Sequence, residues 1–446
     1  MSEPARTTRP PGRHEDPLGD RASRPGAAVA AVIAAAGAGE EGSVTRMLDE
    51  LWARPRPIVE PDPDQPGWSI VTFLWRGRRT DRAERDDEVH VLVNRLTQRG
   101  DLAASRLEHV PGTDLWWRSW TMRDDWMASY QLAPRRRPTG LPIDVAASLA
   151  GTAAGPWRTP GSGDDQAVDD TVAHATIDPA NPLTLASRWG GPPMSVVRLP
   201  AAPADDMWDR RGSPTPLVAE SVRDPDGHPR SLWWRAPTNT GDGIDLLVML
   251  DGQYWGPLYG LGDALDRLEG ADLIDPTVAV FIDSVDDATR RHDYTANPRT
   301  ADWLADDIVA WARRRWPIGD RRHVTIVGQS LGGLMALSAG DRRPDVIGSV
   351  LAQSPSLWWP GGSAFDQDAG AVIRQIAEHG DRGVHVDLAV GLQEPILLPW
   401  ARHLRDVLVA GGHSMVATEY NGGHDFVWWR LAITAALRRR DRQREP

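Results

Sequence analysis

The chain has 446 residues, with 62 acidic against 50 basic side chains, a formal charge of −12 and no cysteine. That length suits two or three domains at roughly 150 residues each, and the missing thiols exclude a disulfide framework, a thiolate zinc site, an iron–sulfur cluster and a cysteine nucleophile. Every basic residue is Arg, which excludes Schiff-base and P-loop lysine chemistry, and the net acidity argues against wholesale binding of nucleic acid or an anionic membrane.

Residues 1–43 are rich in Pro, Arg, Asp and Gly at the start and carry few large apolar side chains, so they are expected to be disordered or loosely helical. Ala27 to Gly39 reads as a short helix rather than a signal peptide, because it runs into Glu40 and Glu41 without a cleavage pattern. No stretch approaches the roughly 18 apolar residues of a membrane span, and the expected location is the cytoplasm. Residues 44–205 form the next unit. A helix over Val44 to Trp52 is followed by short alternating and aromatic runs at Ser69–Trp75, Val89–Val93, Asp114–Trp120 and Trp126–Leu132, the pattern of a small β-sandwich. A long loop is expected over Pro138 to Gly163. The 21 Trp against 4 Phe and 5 Tyr ask for a structural or stacking role.

The character changes after Pro200 to Pro216, and residues 206–446 form the last unit. Near-continuous apolar strands at Asp245–Leu250, Thr277–Ile282, Val324–Val327, Gly348–Ala352 and Val384–Val390 alternate with helices at Ala301–Trp316, Leu331–Ala339, Ala371–Glu378 and Trp400–Ala410. That pattern predicts an α/β hydrolase-like domain with a mainly parallel, doubly covered sheet.

Within it, Val324 to Gly333 reads strand, then Gly328-Gln329-Ser330-Leu331-Gly332, then helix. Glycines flank a serine at a strand-to-helix turn because the turn is strained and crowded, which is the nucleophile elbow of an α/β hydrolase. Chain order then calls for an acid and a His. His424, on the Gly-rich loop Asn421–Phe426 after the last strand, is the candidate base. Glu394, at the end of Val384–Val390, is the candidate acid, with Asp387 and Asp425 as alternatives. The oxyanion hole is assigned to the amides of Leu331 and Gln253, the latter in Leu250-Asp251-Gly252-Gln253-Tyr254-Trp255. No metal site is expected.

These segments carry a resemblance. Together with Ser354-Pro355-Ser356-Leu357-Trp358-Trp359-Pro360, Gly422-Gly423-His424-Asp425 and, in the N-terminal half, Val71–Arg76, Gly112–Trp116 and Asp178–Pro182, the chain resembles the enterochelin (enterobactin) esterases over about residues 44–438. The resemblance implies a cytoplasmic serine esterase that cuts the trilactone of a ferric catecholate siderophore. Iron enters as part of the substrate and no cofactor is needed. Because such a ligand is anionic and aromatic, Trp255, Trp358, Arg290, Arg291 and Arg430 are expected to line the site, with Arg299 and Trp359 as further candidates. Competing readings are a related esterase or acyltransferase acting on another acyl or feruloyl ester, and an inactive siderophore-binding protein.

Overall fold

A computed structural model describes residues 24–77, 88–97, 102–135, 171–187, 191–204, 206–208, 215–237, 243–360 and 370–444. The loop expected over Pro138 to Gly163 lies outside the described residues. The chain divides into two compact units, one of residues 16–203 with 421–427, the other of 204–420 with 428–446.

The N-terminal unit opens with α1 (Ala27–Gly37) and α2 (Glu41–Trp52). Eight strands follow: β1 (Ile58–Pro61), β2 (Trp68–Arg76), β3 (Glu88–Val93), β4 (Glu108–His109), β5 (Leu115–Arg123), β6 (Met127–Arg135), β7 (Thr184–Leu185) and β8 (Met194–Arg198). They form two antiparallel sheets, ordered β1-β2-β5-β4 and β3-β6-β8-β7. Val71, Phe73 and Trp120 of the first sheet share a buried cluster with Val91, Tyr130 and Val197 of the second, so the sheets pack face to face. The other face of β2 and β5 is covered as well: Leu74, Leu115 and Trp117 pack with Val29 and Val32 of α1 and Leu51 of α2. This double cover explains why β2 is almost continuously buried instead of alternating. The short helix expected over Ala27 to Gly39 is α1, and it is a packed part of this core.

Asp178 to Pro182 has a structural role here. Tyr130 Oη donates to Asp178 at 2.9 Å and accepts from Asn181 Nδ2 at 3.0 Å, which ties this loop to the sheet and satisfies three buried polar groups.

The C-terminal unit adds β9 (Val218–Arg223), β10 (Pro229–Arg235), β11 (Asp245–Met249), β12 (Thr277–Ile282), β13 (Val324–Gln329), β14 (Ser349–Gln353), β15 (His385–Gly391) and β16 (Met415–Tyr420). They make one eight-stranded sheet in the order β16-β15-β14-β13-β11-β12-β10-β9. β10 is antiparallel to both neighbours and the remaining pairs are parallel. The swap of β11 and β12, with β10 alone reversed, is the strand order of an α/β hydrolase. Helices α3 (Leu261–Gly270), α4 (Asp287–Tyr294), α5 (Pro298–Trp303), α6 (Ala310–Arg313), α7 (Leu331–Arg342), α8 (Ala371–His379), α9 (Leu397–Ala410) and α10 (Phe426–Arg444) accompany the strands. The helix expected over Ala301 to Trp316 is instead α5, a π-helical segment Leu304–Val309 and α6. Helix α7 is buried on every side from Leu331 to Asp341, as its run of Leu, Met, Ala and Gly requires.

Candidate active site

Strand β13 ends at Gln329 and α7 begins at Leu331, so Ser330 alone makes the turn. Its backbone sits at φ 57°, ψ −121°, a region in which a residue with a Cβ is strained by about 1–3 kcal/mol. The flanking glycine explains how the chain tolerates it. A Cβ on Gly328 would lie 2.1 Å from the Gly332 carbonyl oxygen, so only Gly permits α7 to approach β13 this closely. Ser330 N–H donates to the Gln353 carbonyl at 3.0 Å, and Ser330 Oγ lies 3.2 Å from Ser356 Oγ. The first turn of α7 directs its amides and the positive end of its dipole at this point, which suits a developing oxyanion and places the Leu331 amide beside the serine.

The loop after β11 abuts the same turn. Gly332, in the first turn of α7, would place a Cβ 3.6 Å from Asp251 Oδ2. Gly252 fills a position where any Cβ would stand 2.2 Å from the Ile282 nitrogen, so this loop too is pressed against the sheet. Gln253 opens the π-helical segment Tyr254–Leu258. Its side chain is engaged with Ser284 on both sides, donating from Nε2 to the Ser284 hydroxyl at 2.6 Å and accepting the Ser284 N–H on Oε1 at 3.1 Å, and this pair of hydrogen bonds ties Gln253 to the segment after β12.

Two residues expected to line the site are buried and bonded within the fold. Arg290 is buried and makes a bidentate pair with Asp251, 2.7 Å on each arm, with Nη2 also 3.4 Å from the Gln329 carbonyl. It holds the β11 loop against the turn at Ser330. Trp255 is fully buried, and its indole N–H donates to Gln329 Oε1 at 2.7 Å. The other candidates lie differently. Arg291 is exposed on α4 and paired with Asp287, while Arg299 is exposed and paired with Asp226. Trp358 and Trp359 are half-buried and meet edge to face at 6.5 Å. Arg430 is half-buried, with its guanidinium 5.6 Å from the Trp208 ring. The Trp surplus is therefore largely packing: Trp120, Trp126, Trp208, Trp255, Trp428 and Trp429 are all buried.

The three acid candidates are separated by their surroundings. Asp387 lies inside β15 and pairs with Arg439 at 2.8 Å. Asp425 accepts the Ser129 N–H and Oγ–H on Oδ2, at 2.7 and 2.8 Å, and the Val427 N–H on Oδ1, which leaves it an anchor for its loop and a cap for α10. Glu394 follows β15, is buried, and its Oε1 accepts from Gly391 N–H at 2.9 Å and from Ser354 Oγ at 2.6 Å. His424 occupies the loop between β16 and α10, whose contacts place residues 421–427 in the N-terminal unit. Within that unit Asn94 Nδ2 donates to the His424 carbonyl at 3.0 Å, and Asn421 Nδ2 donates to Asp125 at 2.6 Å.

Sequence reasoning missed the polar row beneath the serine. Gln329 Nε2 donates to Gln353 Oε1 at 2.9 Å, and Gln353 Nε2 donates to the Trp429 carbonyl at 2.9 Å. Part of the signal was in the letters, since Gln329 and Gln353 each end an apolar run; that they are register partners is seen only in the sheet.

Residues 70–208 match the family described as enterochelin esterase, N-terminal, and residues 227–440 match the family described as putative esterase. An iron(III) enterobactin esterase of Dickeya dadantii is 30% identical, over 94% of this chain and 96% of its own. The chain belongs to the enterochelin esterase family. An iron(III) salmochelin esterase of Escherichia coli is 26% identical over 89% of this chain and 93% of its own. The crystal structure of a ferric enterobactin esterase from Salmonella typhimurium superposes with a TM-score of 0.76 at 25% identity, covering 88% of this chain and 99% of that one. As a member of the enterochelin esterases the chain is a carboxylic ester hydrolase, and both family matches fall where the sandwich and the α/β unit lie. Among the described residues no helix is long and apolar enough to cross a membrane.

Proposed function

We propose that this chain hydrolyses the serine-ester bonds of a ferric catecholate siderophore of the enterobactin type, in the cytoplasm, with Ser330, His424 and Glu394 as nucleophile, base and orienting acid. The observation that carries the reading is the strained Ser330 at the head of α7, in a chain related along nearly its whole length to iron(III) enterobactin and salmochelin esterases.

In this mechanism Ser330 Oγ attacks a lactone carbonyl while His424 takes its proton. The carbonyl oxygen, now an oxyanion, is held by the Leu331 and Gln253 amides. Collapse of the tetrahedral intermediate breaks the C–O bond, and protonated His424 gives its proton to the leaving seryl oxygen. Water, deprotonated by His424, then attacks the acyl carbonyl; the C–O bond to Ser330 breaks and His424 returns the proton to Ser330 Oγ. Glu394, with one oxygen already held, orients the imidazole through the other. Iron arrives bound to the three catechols and takes no part in ester cleavage, so the reaction needs no resident cofactor. Cutting the scaffold separates the catechols, and the effective concentration that holds the metal is lost. Arg430 and Trp358 serve as the cationic and aromatic contacts for the ligand.

Hydrolysis of enterobactin, p-nitrophenyl butyrate and methyl ferulate by the same preparation tests the substrate class. The trilactone is expected to have the highest kcat/KM. Rapid turnover of the simple or feruloyl ester with enterobactin left intact would sink the siderophore assignment and leave the esterase standing.

A further inference from the structure

Ser354 takes no part in the mechanism above, yet it is fully buried, non-glycine and held at φ 44° directly after β14. A strained position of this kind persists only when its surroundings over-determine it. Three side chains converge on its hydroxyl. Glu394 Oε1 lies at 2.6 Å, Trp429 Nε1 at 3.1 Å and Tyr420 Oη at 3.2 Å. A serine hydroxyl has one proton to give, and an indole N–H can only donate. Trp429 is therefore the donor to Ser354, and the Ser354 proton goes to the carboxylate at the shortest of the three distances. Tyr420 is then the donor in its own contact with Ser354. The arrangement has one consistent proton assignment, and in it Ser354 delivers a charge-assisted hydrogen bond to the acid.

The Gly391 N–H donates to the same oxygen at 2.9 Å. Oε1 is thus fixed by one donor from the end of β15 and one from the end of β14, so the carboxylate plane cannot rotate about its stem without breaking both. The position of the other oxygen follows.

We infer that Ser354 is a positioning residue that holds Glu394 in the orientation required by the imidazole of His424, with Trp429 and Tyr420 fixing the direction in which its hydroxyl points. This inference rests on the assignment of Glu394 as the acid. It gives the first serine of Ser354-Pro355-Ser356 a role through the acid, while the second touches the nucleophile itself. Because the bond favours the charged carboxylate, its loss raises the tendency of the Glu394–His424 pair to hold a proton. The titratable groups concerned are Glu394, His424 and, through Ser354, Tyr420.

The test compares wild type, Ser354→Ala, Glu394→Gln and the double variant in hydrolysis of p-nitrophenyl butyrate across pH, with circular dichroism of each. Ser354→Ala is expected to lower kcat on the order of tenfold to a hundredfold with KM within about twofold. The acid limb of kcat should move about half a unit to one unit toward higher pH. Adding Ser354→Ala to Glu394→Gln should cost nothing further, because the two act as one unit. Should Ser354→Ala fail to fold, Ser354→Gly suits the positive φ, lacks the hydroxyl and carries the same expectation. A folded Ser354 variant with the wild-type acid limb, or full additivity with Glu394→Gln, overturns the inference. A wild type whose turnover does not depend on Ser330 would instead overturn the proposed mechanism.

Discussion

The indole N–H of Trp255 donates to Gln329 Oε1 at 2.7 Å across 74 positions of chain, joining the loop after β11 to the residue just before Ser330. The loop that carries Gln253 is thereby coupled to the residue preceding Ser330 through a buried bond. Arg290 makes a second link between the same two segments, through Asp251 and the Gln329 carbonyl.

Trp255→Phe keeps most of the ring volume and removes the donor. A buried acceptor left without its donor costs about 1–3 kcal/mol, and the midpoint of urea unfolding should fall accordingly. The rate at which a fluorophosphonate labels Ser330 should fall as well, since Gln329 is the neighbour of the nucleophile. Unchanged labelling together with unchanged stability would contradict the coupling.

Arg290 and Arg291 are adjacent in sequence and should behave oppositely. Arg290→Ala removes the bidentate partner of the buried Asp251 carboxylate, a loss of about 3–5 kcal/mol. Arg291→Ala removes an exposed pair with Asp287, and stability should stay within about 0.5 kcal/mol of wild type. Thermal unfolding of the two variants decides the matter. A stable Arg290→Ala enzyme with a raised KM for enterobactin would restore Arg290 as a ligand contact.

Burial holds the His90 imidazole below its ordinary range, against the pull of Glu88 at 3.1 Å and with Arg135 pushing in the same direction as burial. The unfolded chain takes up a proton at this His near pH 6.5 while the folded chain does not. Folding stability therefore declines as pH falls through that region, and the contribution is intact above it. Burial lowers His385 likewise. Melting temperatures of wild type and His90→Gln between about pH 7.5 and 5.5 should diverge, the variant losing less on acidification; parallel curves would refute the linkage.

How much of this was legible in the letters follows from the range of each interaction. Gly328, Ser330 and Gly332 form a local pattern whose strain is written within five residues, so the elbow is readable without a structure. The α/β unit is readable because parallel strands covered on both faces, such as β13, become continuous apolar runs. The partner of Arg290 is not readable, since Asp251 lies 39 positions away and any of many acids would satisfy a solvated Arg. Trp255 failed for a related reason, because indole next to a motif serves as ligand platform or as core with equal plausibility until Gln329 is seen. The docking of α1 depends on Leu74, Leu115 and Trp117, residues whose outward face the alternation of a half-exposed sheet assigns to solvent.

The most direct test of the central claim is chromatography of ferric and iron-free enterobactin after incubation with wild type and with Ser330→Ala. Wild type should yield linear and monomeric catechol-serine products, and Ser330→Ala should be slower by on the order of a thousandfold or more. Equal product formation by the two proteins would contradict the account, because the ester bonds would then be cut without the serine on which it rests.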